Sequence, residues 1–275
     1  MRLTVLVDNI ASSELNAEWG LSFYLEEAGF KILFDLGASD LFLRNGQSLG
    51  MDLLDPDYLI LSHGHWDHTW GLEHFIKARS KAGPAERLPI LLAHPSALVP
   101  KLHDDSTELG ILAAEPTLAR HFTIRPAKEP VWLSEKLVFL GQIPRHFPFE
   151  NTEPLGKTFR DGSLIDDFVP DDTALAYRTS WGLVIITGCS HAGICNIIKH
   201  AREVCGEPRV ADVIGGFHLL KLTPDSPQLQ ETLAFFRELQ PAQLHACHCT
   251  DLASKIALAQ IADLQEVKVG LTIEY

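Results

Sequence analysis

Four residues within six positions carry the strongest chemical signal in the chain: His63, His65, Asp67 and His68 in the stretch LSHGHWDHTWGL. Imidazole nitrogens together with a carboxylate are a ligand set for zinc, manganese or iron. One tetrahedral ion cannot take all four from so short a segment and keep a place for water. Two ions can share them. His63 and His65, one residue apart in an extended turn, point to one side and serve a first ion, while Asp67 and His68, at the start of the following helix, serve a second. The bland alternative has Asp67 capping that helix and the histidines lying on the surface. It would suffice for each residue singly and is set aside because four coincide. Paired ions need further ligands. TGCSHAG places His191 just past a buried strand, and ACHCT places His248 in the same topological position. Ligands gather at such strand ends in layered α/β proteins. For either histidine alone, a hydrogen-bonded buried role is an equal reading.

The elements that must position these residues alternate between strand and helix. Leu3 to Val7 reads as a strand, Asp8 to Gly20 as a loop, and LSFYLEEAGFKILFDLG as a hairpin turning between Glu27 and Lys31, with Gly29 free to take positive φ. A helix follows from about Ser39. Tyr58 to Ser62 is a buried strand that delivers the histidine turn, and the next helix repeats Leu72, Phe75, Ile76 and Arg79 at helical spacing. LPILLA is a strand ended by Pro95. Residues 105–130 are irregular, with room for a short helix or hairpin. KLVFLGQIPR is a strand, and HFPFENTEPLGKTFRDGSLIDDFVP a long loop of the kind that often carries function. TALAYRT and WGLVIIT form a second hairpin. A helix with Ile194, Ile197, Ile198, Ala201 and Val204 on one face comes next, then strand VADVIGGFHL, helix QLQETLAFFREL, strand QLHACHC, helix DLASKIALAQIA and strand VKVGLTIEY. This alternation implies a layered α/β fold.

The 275 residues are 46% hydrophobic and 21% charged, which excludes disorder and a disulfide-stapled miniprotein and allows a large core; a single domain over residues 1–275 is expected. A net charge of −13 opposes binding to a nucleic-acid backbone, where affinity comes from neutralising phosphates. MRLTVLVDN starts as a strand rather than as a signal peptide, so a cytoplasmic location is expected. No apolar run approaches the ~18 residues that span a bilayer. Five cysteines, Cys189, Cys195, Cys205, Cys247 and Cys249, are an odd number best read as reduced thiols.

SHGHWDH at a strand end resembles the metal-binding signature of the metallo-β-lactamase fold, and FDLG at Phe34 to Gly37 resembles that superfamily's upstream motif. More narrowly, VDN, LSHGHWDHTWGL, GQIPR followed by FE, DDTAL, TGCSHAGICN, GGFHL and HCT are together similar to the 7,8-dihydropterin-6-yl-methyl-4-(β-D-ribofuranosyl)aminobenzene 5′-phosphate synthase-like family, from residue 7 to about 250. The resemblance implies an αββα sandwich of two mixed sheets flanked by helices. It also implies two divalent ions, zinc first with manganese or iron as alternatives. By position, His63, His65 and His191 bind the first, and Asp67, His68 and His248 the second. Where many members carry a bridging Asp, this chain has Cys189, which either bridges the metals or is an inert buried thiol; the latter is favoured. Relatives that perform di-iron flavin chemistry carry Glu at the place of His65, so His65 favours Lewis-acid chemistry.

The resemblance further implies an enzyme acting on a phosphorylated or ester-bearing small molecule, while the charge and the apolar runs point to no nucleic-acid or membrane partner. It would be either a transferase releasing diphosphate or a hydrolase of a lactone, ester or phosphodiester. A non-catalytic metal-containing binding or signalling protein is the alternative of another class. Asp67 is the expected catalytic residue, orienting a water and accepting its proton. Arg145, Glu150, His218 and Asn9 are expected to bind substrate, with Arg145 forking onto a phosphate; for Arg145 a solvated side chain beside a proline turn is an equal reading. Asp35 is expected to orient a ligand histidine.

Overall fold

The computed structural model describes residues 1–83 and 87–275, and these form two compact units. The first comprises residues 1–128, 155–167 and 268–275; the second comprises 129–154 and 168–267.

In chain order the elements begin with β1 (Arg2–Val7), β2 (Ser22–Glu27), β3 (Phe30–Phe34), α1 (Leu41–Ser48), β4 (Tyr58–Ile60), α2 (Trp66–Thr69) and α3 (Gly71–Ala82). They continue with β5 (Ile90–Ala93), β6 (Lys101–Leu102), α4 (Glu115–His121), β7 (Thr123–Pro126), β8 (Val131–Trp132), β9 (Leu137–Phe139), β10 (Lys157–Arg160) and β11 (Ser163–Asp166). The remainder are β12 (Ala174–Thr179), β13 (Gly182–Thr187), α5 (Ile194–Cys205), β14 (Val210–Gly216), α6 (Pro227–Leu239), β15 (Gln243–Cys247), α7 (Leu252–Ala259) and β16 (Thr272–Glu274).

Among the described residues of the first unit, the larger sheet runs β16-β1-β2-β3-β4-β5-β7. Its first half is antiparallel and β3, β4, β5 and β7 are parallel. The expected hairpin closes at Ala28 and Gly29, both at positive φ, the backbone of a two-residue turn matched to strand twist. Helix α3 buries Leu72 and Phe75 against a core that includes Leu33, Phe42, Leu59 and Leu91, and Phe75 stacks on Phe122 at 5.9 Å.

The second unit holds a sheet ordered β15-β14-β13-β12-β9-β8, with β13, β14 and β15 parallel and the rest antiparallel. Helix α5 presents Ile194, Ile197, Ile198 and Ala201 to a core shared with Val138, Ile185, Val213, Phe236 and Leu244. Both sheets are thus mixed, and each delivers several parallel strands whose C-terminal ends open into loops.

The segment expected to be a long loop is partly a hairpin. β10 and β11 pair antiparallel around Asp161 and Gly162, both at positive φ, and β10 also pairs with β6. The Asp-Gly dipeptide between FR and SLI was the signal for it. The last strand is shorter than expected, confined to Thr272–Glu274, and α1 starts two residues later than Ser39, whose hydroxyl accepts the Leu41 N–H.

Candidate metal centre

Asp35 anchors the first donor set. It follows β3 in left-handed backbone (φ +57°) and its side chain is fully buried. Oδ1 accepts the Ser62 backbone N–H at 2.7 Å; Oδ2 accepts the Ser62 hydroxyl at 2.6 Å and His68 Nδ1–H at 2.7 Å. A serine hydroxyl has one proton to give. With that proton on Asp35, Ser62 Oγ accepts from His63 Nδ1–H, 2.9 Å away. Both imidazoles therefore carry their proton on Nδ1 and keep the Nε2 lone pair available, which is how histidine is prepared for a metal when another group holds its second nitrogen.

The turn between β4 and α2 crowds the remaining donors. His65 lies in extended backbone before α2, and its carbonyl accepts the His68 N–H at 3.1 Å and the Thr69 hydroxyl at 2.9 Å. Ring centroids of His63 and His65 are 4.5 Å apart, and those of His63 and His68 4.3 Å. Asp67 Oδ2 accepts the Trp19 indole N–H at 3.0 Å, while Oδ1 stands 3.8 Å from His68 Nε2. Donor atoms of His63 and His65 lie within 4.8 Å of each other, as do those of Asp67 and His68. Two buried carboxylates among three buried imidazoles carry a negative charge that is costly away from water. A divalent cation compensates it, so the chemistry of the set fits a metal.

The second donor set stands on the ends of the parallel strands of the other unit. After β13 the chain passes through Cys189 and Ser190, the latter at φ +62°, to His191. Ser190 is fixed by its hydroxyl, which donates to the Gly216 carbonyl at 2.6 Å. Asn151 Nδ2 donates to the His191 carbonyl at 3.0 Å, and Asp172 Oδ2 accepts the Ala192 N–H at 2.8 Å. His248 follows β15 at φ +49°, its Nε2 3.2 Å from Cys189 Sγ. His218 follows β14 at φ +51°, and its ring centroid lies 4.4 Å from that of His191. Left-handed non-glycine residues at three consecutive strand ends are strained positions of the kind that cluster at functional sites. Cys249 Sγ donates to the Cys189 carbonyl at 3.3 Å. Burial opposes ionisation of Cys249, yet hydrogen bonding with Cys189 and His218 and the proximity of His248 prevail and hold its thiol well below the ordinary range. The seven residues His63, His65, Asp67, His68, Cys189, His191 and His248 all belong to candidate metal-binding groups.

The residues expected to bind substrate divide. His218 packs its ring against that of His191, and Asn9 is half-buried just beyond β1. Glu150 is instead a cap: its two carboxylate oxygens accept the Cys195 and Asn196 N–H groups at 2.8 and 2.9 Å, satisfying the open N-terminus of α5. Burial pushes its carboxyl up to about 7 despite those two bonds. Burial likewise raises Asp172 to about 7. Arg145 is exposed, and its guanidinium is engaged by its own chain. Its guanidinium donates to the carbonyls of Ile143 at 2.7 Å and Val169 at 2.9 Å and to Asn151 Oδ1 at 3.2 Å, tying the flanks of the 146–168 segment together. Sequence reasoning missed Trp19, Asn151 and Asp172. Asp172 lay in the DDTAL motif, but the contact of Trp19 with a residue 48 positions away has no local signature.

The pattern of the metallo-beta-lactamase superfamily matches residues 20–202. The chain is 28% identical over 272 residues to an uncharacterized protein of Methanocaldococcus jannaschii, covering 98% of this chain and 99% of that one. It is 30% identical over 243 residues to the 7,8-dihydropterin-6-methyl-4-(beta-D-ribofuranosyl)-aminobenzene-5′-phosphate synthase of the same organism, covering 85% and 81%. Among solved structures it is similar to Tm1679, described as a metal-dependent hydrolase of the beta-lactamase superfamily, with 30% identity, a TM-score of 0.83 and coverage of 100% and 99%. The expected fold is borne out by that likeness, and the chain belongs to the metallo-beta-lactamase superfamily.

Proposed function

We propose that the chain holds a pair of divalent ions, with His63, His65 and His191 as ligands of the first and Asp67, His68 and His248 of the second, and that residues 1–275 act as one catalytic domain. The observation that carries this reading is the Asp35–Ser62 pair, which consigns the protons of His63 and His68 to Nδ1 and reserves Nε2 for a ligand. Cys189 Sγ, 3.2 Å from His248 Nε2, is the candidate bridge in place of a carboxylate, and its position favours that role over an inert one. Imidazole with thiolate suits zinc better than manganese.

When bound, two such ions supply Lewis acidity and bring a water toward ionisation at neutral pH. The chain's own contribution is positional. Asp67 orients the attacking group through one carboxylate oxygen and takes its proton, while the Trp19 indole holds the other oxygen. His218, beside His191, can donate to an anionic substrate group. Asn9 lines the substrate side in this reading.

The likeness to the synthase supports transfer as the reaction: activation of a dihydropterin methyl diphosphate, departure of diphosphate, and attack by an aminobenzene ribofuranosyl phosphate. The likeness to a metal-dependent hydrolase at the same identity supports a second reading, in which water is the acceptor for a lactone, ester or phosphodiester. Five buried thiols with no disulfide among the described residues support a reducing, cytoplasmic setting. Among those residues no helix is long and apolar enough to cross a membrane. The charge of −13 supports a small-molecule substrate over nucleic acid.

A substrate panel of the pterin diphosphate with and without its aminobenzene partner, lactones and phosphodiesters separates these readings. Diphosphate release that requires both pterin and acceptor is the expected result. Turnover with water alone establishes the hydrolase, and silence across the panel with metal bound contradicts catalysis.

A further inference from the structure

Asp67 carries two tasks in this account, yet its own helix does little to aim it. α2 is four residues long, and no side chain caps its N-terminus at His65. The aiming comes from residues 19–21, which meet Asp67 at three points. Trp19 Nε1–H donates to Oδ2 at 3.0 Å, and the Leu21 N–H donates to the Asp67 carbonyl at 3.2 Å. Between them Gly20 lies so close that a Cβ there would stand 2.9 Å from the same carbonyl oxygen. Only glycine fits between two such contacts without displacing the turn.

The loop that carries Trp19 is itself held on both sides. Glu18 accepts the Ala38 and Ser39 N–H groups at 2.9 and 3.2 Å and the Ser39 hydroxyl at 2.5 Å, so it is pinned to the FDLG turn that also supplies Asp35. Asn45 donates to the Asn16 carbonyl at 2.9 Å and accepts the Asn16 N–H at 3.1 Å. The Trp19 side chain is nevertheless 46% exposed, far more than a core tryptophan would be. An indole spends most of its value on burial, and its N–H is its only polar function. Half-exposed, rigidly mounted and aimed through that N–H at one carboxylate oxygen, Trp19 is placed for orientation rather than for packing.

We propose that Trp19 is a positioning residue for Asp67: its N–H occupies Oδ2 and turns Oδ1, on the His68 side, toward the second metal position. The inference rests on the dinuclear reading above and names the residue that makes its carboxylate ligand directional. Without the N–H, the Asp67 carboxylate regains rotation about its terminal torsion and must be re-aimed by the ion itself.

The test is zinc titration of metal-free protein in competition with a chromophoric chelator, for wild type, Trp19→Phe and, as control, Trp181→Phe, with the thermal midpoint of each metal-free protein. Wild type and the control are expected to take up two equivalents. Trp19→Phe keeps an aromatic ring at a half-exposed position and loses only the donor, so its metal-free midpoint and first equivalent should match wild type while the second binds roughly tenfold or more weakly. Two equivalents at wild-type affinity in Trp19→Phe overturn the inference and leave the dinuclear reading standing. Loss of both equivalents alike with a lowered midpoint overturns it in favour of a purely structural role. Failure of wild type to bind a second equivalent overturns the dinuclear reading, and the inference with it.

Discussion

Asp35 shows how much of a metal site lies behind its ligands. It touches no ion in the proposed arrangement, yet its carboxylate decides which nitrogen of His68 carries the proton, and through Ser62 which nitrogen of His63 does. Asp35→Asn tests this without disturbing the backbone, since asparagine tolerates the same left-handed conformation. An amide N–H facing Nδ1 forces the proton of His68 onto Nε2, and zinc affinity should fall by roughly 10- to 100-fold, measured by chelator competition. Asp67→Ala removes a ligand and the proton acceptor together; turnover on whichever panel substrate proves active should vanish while circular dichroism stays that of the wild type. Surviving activity would end the proton-handling role. The crowding of candidate donors at 63–68 was legible because four side chains of metal-ligating type in six positions have no common structural use. The contacts of Glu150 and Arg145 were not, because a carboxylate that caps a helix and a guanidinium that ties loops look, residue by residue, like any other polar side chain of a loop.

At the level of elements, each ligand segment is delivered by a parallel strand that ends and a helix that begins, and the helix must be seated for its first turn to hold still. α5 is seated by Glu150, which replaces the missing side-chain cap at Gly193. Because burial lifts that carboxyl from 4.5 to about 7, the folded state binds its proton more tightly than the unfolded chain does. Stability from this group is fully present below about pH 4.5 and is lost as pH rises through about 7. The stability advantage of wild type over Glu150→Gln should therefore shrink between pH 5 and pH 8, read as the difference in denaturant midpoint of the metal-free proteins. α3 is seated by its apolar face instead, and Phe75→Ala should cost about 3–5 kcal/mol of unfolding free energy through the cavity it leaves against Phe122. Period and turn chemistry revealed most elements in advance: the α3 and α5 faces repeat as written, and the first hairpin closes where Gly29 stands. The β10–β11 hairpin escaped because glycine, proline and aspartate around it suggested a loop, and the Asp-Gly turn inside was outweighed by its surroundings.

Across the whole molecule the chain returns to its first unit twice, at residues 155–167 and 268–275, so ligand-bearing segments far apart in sequence belong to units that each close only when distant strands have paired. That is why the ligand types could be read from short motifs whereas their supports, such as the indole of Trp19 48 residues from Asp67, could not. Superfamily membership accounts for the architecture and leaves the reaction to the site, since one scaffold can host many chemistries. The central claim is that the two proposed ligand sets hold paired cations. It is tested most directly by diffraction from crystals of the zinc-loaded protein, recorded above and below the zinc absorption edge. The account predicts two anomalous peaks per chain, ~3.5–4 Å apart, one bounded by His63, His65 and His191 and the other by Asp67, His68 and His248. A single peak, or peaks away from those residues, would contradict it.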